Sequence, residues 1–165
     1  MSIIILLTHG QQTIVDDEYA YLAELKWSAS YHKKLDKYYA RRWNGQKAEY
    51  LHRVILSAML HRPLERTEDV DHINRDRLDN RCENLRLATR SQNNMNSKMK
   101  GNNVSGFRGV SWGERNKKWV ARITISGKVK HLGLFTSKES AARAFDAAAK
   151  KAFGDFARLN FEEEV

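Results

Sequence analysis

Short apolar runs separated by polar turns divide the N-terminal third of the chain into brief strands and helices. Residues 3–7 and 12–15 predict two strands around a turn at His9 and Gly10. The acidic residues at 16–17 then begin a predicted helix. The side chains that we expect to point inward from this helix are Leu22, Leu25 and Tyr21.

Two strands and a second helix are predicted for residues 28–62. Asn44 and Gly45 are the turn signal before the second arm of this strand pair. The helix covers residues 51–62 and ends before Pro63, because proline cannot continue a helix. Its apolar stripe consists of Leu51, Val54, Ile55 and Ala58, which leaves His52 and Arg53 off the predicted buried face.

Residues 68–96 combine a polar turn with two short apolar runs. EDVDH predicts one strand and LRLA a second, and Thr89 begins a helix through its capping-box spacing with Gln92. The turn between the strands is rich in Asp, Asn and Arg. The order strand, turn, strand, helix predicts a compact ββα finger.

Three strands followed by one helix are predicted for residues 106–161. The turns lie near GERN and at Ser126 and Gly127. Thr136 and Glu139 have capping-box spacing at the start of the helix, and Gly154 ends it. A stripe of mostly small residues lets the helix lie close to the sheet: Ala141, Ala144, Phe145, Ala148, Ala149 and Ala152.

The composition narrows the class of partner. The chain has 165 residues, 41% of them hydrophobic, and a net charge of +9. It can therefore bury one modest core or two small ones, and its partner is expected to be a polyanion. Residues 104–165 carry twelve basic and seven acidic side chains, against ten and nine in residues 1–69. Charge alone leaves DNA, RNA and an anionic membrane surface open.

The cysteine content and the hydropathy of the sequence restrict the cellular compartment in which we expect the protein. Cys82 is the single cysteine of the sequence, which excludes an intrachain disulfide and a Cys-rich zinc knuckle. The apolar run at residues 3–7 is too short for a signal peptide or a membrane span. A cytoplasmic protein that has no membrane partner is therefore expected.

Four polar residues of the predicted finger have a spacing suited to hydrolytic chemistry. His72 directly follows Asp71, Asn84 comes twelve residues later, and Asn93 nine beyond that. A neutral imidazole with a pKa of about 6.5 can accept a proton near neutral pH. Carboxylate and amide oxygens are ligands for hard divalent cations. The finger geometry predicts that Asp71 and Asn93 meet at one ion, with His72 beside it.

These residues resemble the ββα-metal finger of phage HNH homing endonucleases. The resemblance implies that His72 activates water, Asn84 supports the loop, and Asp71 and Asn93 hold Mg²⁺ or Mn²⁺. It also implies hydrolysis of a DNA phosphodiester, with the ion acting as a Lewis acid on the leaving oxygen. One finger per chain predicts nicking of one strand by a monomer bound to double-stranded DNA.

The motifs of residues 106–161 resemble the APETALA-type DNA-binding domain of plant ethylene-response factors. The matching segments are FRGVSW, WVARI, HLGLF, AARAFDAAAKKAFG and ARLNF. In that family a three-stranded sheet enters the major groove, and sheets are an established means of reading DNA. The predicted contact residues are Arg108, Trp112, Arg115, Lys118, Arg122 and His131. Trp119 is expected in the core.

Basic side chains alternate with aromatic ones in residues 31–43. Two interpretations stay open: a half-buried sheet whose charged face only meets water, or a sheet face that lies along DNA. The residues assigned to DNA under the second interpretation are Arg41, Arg42 and, from the following helix, Arg53.

The predicted fold class is α+β, with four segments. Residues 1–65 form a mixed α/β region that positions DNA, and residues 66–97 form the ββα-metal finger. Residues 98–105 form a polar linker, which we expect to set the distance between recognition and cleavage. Residues 106–161 form the three-stranded antiparallel sheet packed on one helix.

Two functions other than DNA cleavage remain compatible with the sequence. One is a sequence-specific DNA-binding regulator that keeps an inactive finger as a scaffold. The other is an RNA-binding protein, which would account for the charge and the aromatic residues but not for the combination of Asp71, His72 and Asn93.

Overall fold

The computed structural model describes residues 1–33, 36–97, 99 and 103–161. Internal contacts divide the chain into two compact units, Met1–Thr89 and Arg90–Val165, each with its own hydrophobic core. Both units combine helices with small antiparallel sheets. The predicted α+β class is therefore confirmed.

An N-terminal hairpin begins the first unit. Strands β1 (Ser2–Leu6) and β2 (Gln12–Asp16) pair as predicted, and the turn between them includes His9 and Gly10 in the left-handed region, at φ 58° and 65°.

The segment after the hairpin, Asp17–Glu24, is a 3₁₀ helix. Tyr19 and Leu22 are buried, whereas Tyr21 is exposed, so the prediction of an inward Tyr21 was wrong. The reason is the period: with three residues per turn, positions 19 and 22 share one face and position 21 does not.

Residues 28–50 form a sheet of three strands, one more than predicted: β3 (Ser28–His32), β4 (Lys37–Trp43) and β5 (Ala48–Tyr50). The predicted turn at Asn44 is present. Its side-chain Oδ1 accepts the backbone N–H of Gln46 at 3.0 Å and of Lys47 at 2.9 Å, which reverses the chain. The residues after the turn are then in register to pair with β4.

Helix α1 (Leu51–Met59) packs in the core of the first unit. Leu51, Ile55 and Leu56 are buried, and Val54 and Ala58 lie at the edge of the core. His52 is also buried, so its predicted position off the buried face was wrong. Because α1 contacts strands on several sides, including β4, β5 and the finger strands, more than one stripe of the helix is covered.

The finger strands of the first unit are β6 (Glu68–His72) and β7 (Leu85–Thr89), which pair antiparallel. The loop of residues 73–84 joins them and ends in a short 3₁₀ turn, Cys82–Asn84. This loop is attached to the N-terminal hairpin through a parallel bridge between Ile14 and Asp79.

The second unit contains α2 (Arg90–Asn96), a sheet and α3 (Lys138–Phe153). The sheet has the order β10-β9-β8, with β8 (Val110–Gly113), β9 (Lys118–Ile125) and β10 (Lys128–Phe135). All three strands and α3 were predicted.

Two details of α3 differ from the prediction. Its cap is Ser137, not Thr136, because the Ser137 hydroxyl accepts the backbone N–H of Ser140 at 3.1 Å. Ala152 is exposed, whereas the other members of the predicted stripe face the sheet or its margin. Gly154 ends the helix at φ 52°, as expected.

Helix α2 packs within the second unit. Met95 is buried in one core cluster with Ile123 and Phe145. The guanidinium of Arg108 donates to the carbonyl of Ser97, just after the helix. The boundaries of the predicted linker stay a prediction, and Lys98 and residues 100–102 lie outside the described residues.

Residues 157–161 are hydrogen-bonded to α3 and to the segment before β8. Asn160 Oδ1 accepts the N–H of Arg108 at 2.6 Å, and the Asn160 amide donates to Asp146 at 2.9 Å. The Asp146 carboxylate also accepts the N–H of Phe161 at 3.0 Å.

Among the described helices, none is long and apolar enough to cross a membrane.

Candidate active site

The site of the first unit is built on the last two residues of β6. In the β6–β7 pair, Asp71 lies opposite Arg86 and His72 opposite Leu85. Asp71 and His72 are each only 1% exposed. Neighbouring residues in a strand point to opposite faces, so the carboxylate and the imidazole leave the strand in different directions.

Arg86 is the charged neighbour of Asp71. Its Nε donates to Asp71 Oδ2 at 2.9 Å, and its Nη2 lies 2.9 Å from the same oxygen. A buried carboxylate is costly unless it is paired and hydrogen-bonded. The guanidinium therefore compensates for the burial of the Asp71 charge, a role that the sequence motif did not indicate.

Asn84 spans the loop between the two strands. Its Oδ1 accepts the backbone N–H of Asn74 at 2.8 Å, and its Nδ2 donates to the carbonyl of Asp79 at 2.7 Å. The expected hydrogen bonds of Asn84 to the loop backbone are therefore present. Its catalytic assignment stays a prediction.

Asp79 also stabilises the loop of residues 73–84. Its carboxylate accepts from Arg81 at 2.8 and 2.9 Å and from the Asn74 amide at 2.8 Å. The hydrogen bonds from Arg81 hold the pKa of Asp79 below its ordinary value. The loop thus holds a charged aspartate whose two carboxylate oxygens are both hydrogen-bonded.

A buried hydrogen-bonded chain connects His72 to the N-terminal hairpin. His72 Nε2 lies 3.2 Å from Asn80 Oδ1. Asn80 Nδ2 donates to Thr13 Oγ1 at 2.7 Å, and Thr13 Oγ1 lies 2.6 Å from the carbonyl oxygen of Leu78. Sequence reasoning missed both Asn80 and Thr13, because the second contact joins residues 67 positions apart.

Aromatic rings also pack near His72. The ring of His52 lies 5.3 Å from that of His72, edge to face at 72°. Tyr39 and Tyr50 lie 5.6 and 5.7 Å from His52. Arg77 stacks over Tyr39 at 5.5 Å, which brings a cation to this ring cluster.

Burial is the main influence on the protonation of the two histidines. It lowers the pKa of His72 to about 4, although the hydrogen bond to Asn80 opposes the shift. Burial also lowers the pKa of His52 well below its ordinary value. The sequence predicted an untuned imidazole at position 72. The folded chain instead keeps it neutral throughout the physiological range, in the form that can accept a proton.

Asn93, the second predicted metal ligand, lies half-buried on the second turn of α2. Helix α2 follows β7 directly along the chain. The assignment of Asn93 as a ligand stays a prediction.

Two of the three arginines that were assigned to DNA in the first unit have partners of their own. Arg42 forms an ion pair with Glu49 at 2.7 Å and lies 5.3 Å from the ring of Trp27. Arg53 donates to two backbone carbonyls, those of Glu65 at 3.2 Å and Glu68 at 2.8 Å. Arg41 is half-buried in β4. DNA contacts by these three arginines stay predictions.

Most of the predicted DNA contacts in the second unit are exposed on its sheet. Arg122 and His131 are cross-strand partners on β9 and β10, and both are exposed. Arg115, Lys118 and Trp112 are exposed as well, and the Trp112 ring lies 5.2 Å from that of Trp119. Trp119 is only half-buried, and it packs at the edge of the core.

Arg108 differs from these residues. It is half-buried, and it binds the Ser97 carbonyl through its guanidinium and Asn160 through its backbone.

A separate group of potential metal ligands lies near the 3₁₀ helix of the first unit. Asp16, Glu18 and Cys82 bring one ligand atom each to within 4.8 Å of one another. Asp16 already accepts the backbone N–H of Cys82 at 2.6 Å, and the thiol lies 3.5 Å from Glu18. Burial and the two carboxylates raise the pKa of Cys82 to about 12, so the thiol is protonated in the metal-free chain.

Residues 49–95 match the family model described as HNH endonuclease. This range contains both finger strands, the loop and the Asp71-His72 pair. We refer to residues 49–95 as the HNH segment.

Two viral relatives match parts of the chain that carries this HNH segment. An uncharacterized HNH endonuclease of Acanthamoeba polyphaga mimivirus is 34% identical over 110 residues, which cover 67% of this chain and 56% of the viral protein. Protein 3.8 of Escherichia phage T7 is 35% identical over 66 residues, which cover 40% of this chain and 54% of that protein. The chain thus spans about half the length of these relatives.

A plant protein matches a further 57-residue stretch. It is an AP2-like ethylene-responsive transcription factor of Arabidopsis thaliana, 42% identical over 34% of this chain and 12% of its own length. This similarity agrees with the APETALA-type resemblance of the C-terminal region, and the observed sheet of β8–β10 on α3 has the expected architecture.

Proposed function

We propose that the protein is a metal-dependent DNA endonuclease in which His72 is the general base. The observation that carries this proposal is a neutral, buried imidazole beside a buried aspartate, at the end of a strand within the HNH segment. A general base must be unprotonated at working pH and held in one orientation. Burial meets the first requirement, and the bond to Asn80 meets the second.

The two residues that the HNH resemblance assigns to a metal have donor groups that fit a hard divalent cation. Asp71 offers carboxylate oxygens and Asn93 an amide oxygen, the ligand types that Mg²⁺ and Mn²⁺ prefer. We assign these two residues as the protein ligands. When bound, the ion would neutralise charge on the phosphate and stabilise the leaving oxygen.

The remaining chemistry is done by the chain itself. The lone pair of His72 takes a proton from an attacking water, and Asn84 keeps the loop that follows His72 in a fixed conformation. Hydrolysis of the phosphodiester is expected to produce a 5′-phosphate and a 3′-hydroxyl. A single finger per chain favours nicking of one strand by a monomer, and homing of a mobile element is the biological setting that the family resemblance suggests.

Double-stranded DNA is the proposed substrate, and the sheet of the second unit is its proposed reader. Arg122, His131 and Lys118 are exposed on one face of the sheet and suit contact with phosphates and base edges, and Trp112 is proposed as a further contact. Residues 98–105 are proposed to set the spacing between the recognised sequence and the cut. We place the reaction in the cytoplasm.

Replacing His72 with alanine tests the proposal directly. We expect conversion of supercoiled plasmid to nicked circles by the wild-type protein with Mg²⁺ and none with EDTA. His72→Ala should lower the rate at least about a hundredfold, because general-base catalysis contributes that much, while DNA affinity in a gel-shift assay is unchanged.

His61→Asn is the matched control for this test. His61 is an exposed histidine at φ 50°, a backbone conformation that asparagine tolerates. A His72→Ala protein that cleaves at the wild-type rate would refute the assignment of the base. Tight DNA binding without cleavage by the wild-type protein, under any divalent metal, would instead favour the regulator.

A further inference from the structure

We propose that Thr13 and Asn80 are positioning residues for His72: they hold its imidazole in the tautomer with the proton on Nε2, so that Nδ1 is the nitrogen that accepts a proton. The catalytic part of this inference rests on the proposed function, whereas the tautomer itself is independent of it. Neither residue belongs to the set of four that the motif singles out, and Thr13 lies outside the HNH segment.

The hydrogen-bonded chain has a fixed direction because it starts at a backbone carbonyl. The carbonyl of Leu78 can only accept, so the Thr13 hydroxyl at 2.6 Å must donate its single hydrogen there. The same hydroxyl oxygen can then only accept from its other neighbour, the side chain of Asn80 at 2.7 Å.

This direction determines which way the Asn80 amide faces. Its nitrogen points to Thr13, and its oxygen therefore points to His72 Nε2 at 3.2 Å. An amide oxygen is an acceptor only, so Nε2 must carry the proton. Since a neutral imidazole has one ring proton, the lone pair is on Nδ1.

Burial prevents water from replacing these partners. Thr13 and Asn80 are 0% exposed and His72 is 1% exposed. With the amide reversed, the Thr13 hydroxyl would face two acceptors with one hydrogen, and the amide nitrogen would face Nε2. A buried polar group that loses its partner destabilises the folded state, which favours the observed direction.

The backbone around Thr13 is held to the loop on both sides. Ile14 N–H donates to the Leu78 carbonyl at 3.0 Å, and Asn80 N–H donates to the Ile14 carbonyl at 2.8 Å. Strand β2 is therefore fixed beside the loop at the point where Thr13 meets Asn80. The N-terminal hairpin thus supplies a residue that acts on the HNH segment through Asn80.

The expected consequence is a change in the rate of catalysis without a change in substrate binding. Without the Thr13 hydroxyl, the Asn80 amide can rotate and His72 can populate both tautomers. Only the tautomer with its lone pair on Nδ1 would be productive. Partners that orient a catalytic or metal-binding histidine typically contribute about 10- to 100-fold in activity.

The tautomer can be read in solution without metal or DNA. In protein with ¹⁵N-labelled histidine and EDTA at neutral pH, ring ¹H–¹⁵N correlation spectra distinguish a protonated Nε2 from a protonated Nδ1. We expect the wild-type His72 to carry its proton on Nε2. A wild-type His72 with the proton on Nδ1 would overturn the proposal outright, and this measurement requires no variant to fold.

Thr13→Val then tests the role of the hydroxyl, because valine keeps the shape and removes the hydrogen bonds. We expect the His72 signals to shift towards a mixture of tautomers, with kcat lowered about 10-fold or more and KM for DNA within about twofold. Thr13→Ser, which keeps the hydroxyl, should restore the wild-type spectrum and rate. Thr67→Val, at an exposed threonine, is the matched control.

The possible failures are distinguishable. A Thr13→Val protein with an unchanged His72 spectrum and unchanged kcat would overturn the positioning role. If the wild-type protein shows the Nε2 tautomer but cleaves no DNA under any condition, the proposed endonuclease fails and the hydrogen-bond assignment stands.

Discussion

At the scale of single residues, burial governs the chemistry of the first unit. His72 and Asp71 are nearly inaccessible in the described part of the chain, and each has a polar partner that makes its burial tolerable. The imidazole is kept neutral, whereas the carboxylate lies next to a guanidinium. The two groups therefore differ in charge although they are neighbours in sequence.

Acid should destabilise the protein through its two buried histidines. Their folded pKa values are lowered, to about 4 for His72, from an ordinary value of 6.5. Below about pH 6.5 the unfolded chain binds protons that the folded chain does not, so stability is greatest above that pH and is lost as the pH falls towards 4. For His72 alone the loss is roughly 3 kcal/mol.

Urea unfolding in EDTA at a series of pH values measures this loss. His52→Phe, which removes one titrating group and keeps an aromatic ring, should show a shallower dependence on pH. A free energy of unfolding that stays constant from pH 7 to pH 4.5 would contradict the expectation.

Arg86→Ala should destabilise the metal-free protein by about 3 kcal/mol, because it removes the cation beside the buried Asp71 carboxylate. If Asp71 holds a divalent ion, Mg²⁺ should restore part of the loss by binding the folded state. Thermal unfolding with and without Mg²⁺ measures both effects.

Arg75→Asn is a control for the Arg86 variant, at an exposed loop position with φ 69° where asparagine is tolerated. An Arg86→Ala protein as stable as the wild type in EDTA would show that the ion pair contributes little. Equal responses to Mg²⁺ in the wild type and in an Asp71→Ala variant would count against Asp71 as a ligand.

At the scale of elements, close packing in the second unit depends on one glycine. Gly109 has φ 73°, and a Cβ at this position would lie 2.0 Å from the Phe145 ring and 2.6 Å from the carbonyl of Arg122. The segment before β8 can therefore approach the sheet and α3 only without a side chain. This glycine is part of the FRGVSW segment that carries the APETALA-type resemblance.

Gly109→Ala should destabilise the second unit by about 3 kcal/mol, the sum of a strained backbone and an overpacked core. Gly106→Ala is the matched control, since Gly106 has nearly the same φ of 77° but open space around it. We expect about 1 kcal/mol there, from the backbone alone. Equal losses in the two variants, measured by thermal unfolding, would exclude the steric contribution.

At the scale of the whole molecule, net charge and its distribution govern the expected binding to DNA. The net charge of +9 is concentrated towards the C-terminal half of the sequence. The exposed Arg122 and Lys118 belong to the sheet that resembles a DNA reader, whereas Arg42 and Arg53 already have internal partners. We therefore expect the second unit to dominate the electrostatic part of binding.

DNA binding should weaken steeply with salt, by about −0.9 in log–log slope for each neutralised phosphate. Arg122→Ala and Lys118→Ala should each reduce the slope by about 1 if the side chain contacts a phosphate. Fluorescence anisotropy on a short duplex at several salt concentrations measures the slope.

Lys151→Ala, at an exposed position in the last turn of α3, is the control for the salt experiment. A wild-type affinity that hardly changes with salt would contradict the proposed DNA interface. Preference for structured RNA over duplex DNA in competition would indicate a different polyanion.

Local signals in the sequence were sufficient for most of the elements and for the identity of the motif. The strands of the second unit, the turn at Asn44 and the end of α3 at Gly154 depend on contacts between near neighbours, so their signatures are short-range. The misplaced cap at Thr136 and the inward Tyr21 were errors of one residue or of helix type. The cap was misplaced because serine and threonine are adjacent here and both can cap a helix. Tyr21 was misplaced because a short segment does not distinguish an α-helical period from a 3₁₀ period.

Residue type and spacing were enough to establish the α+β class, the HNH segment and the basic character of the chain. The folded structure was needed to show that His52 is buried against His72, that Arg86 pairs with Asp71, and that Thr13 is linked to His72 through Asn80. These contacts join residues that are far apart in the chain. Periodicity and spacing report which side chains share a face of one element, whereas contacts between elements depend on how those faces meet.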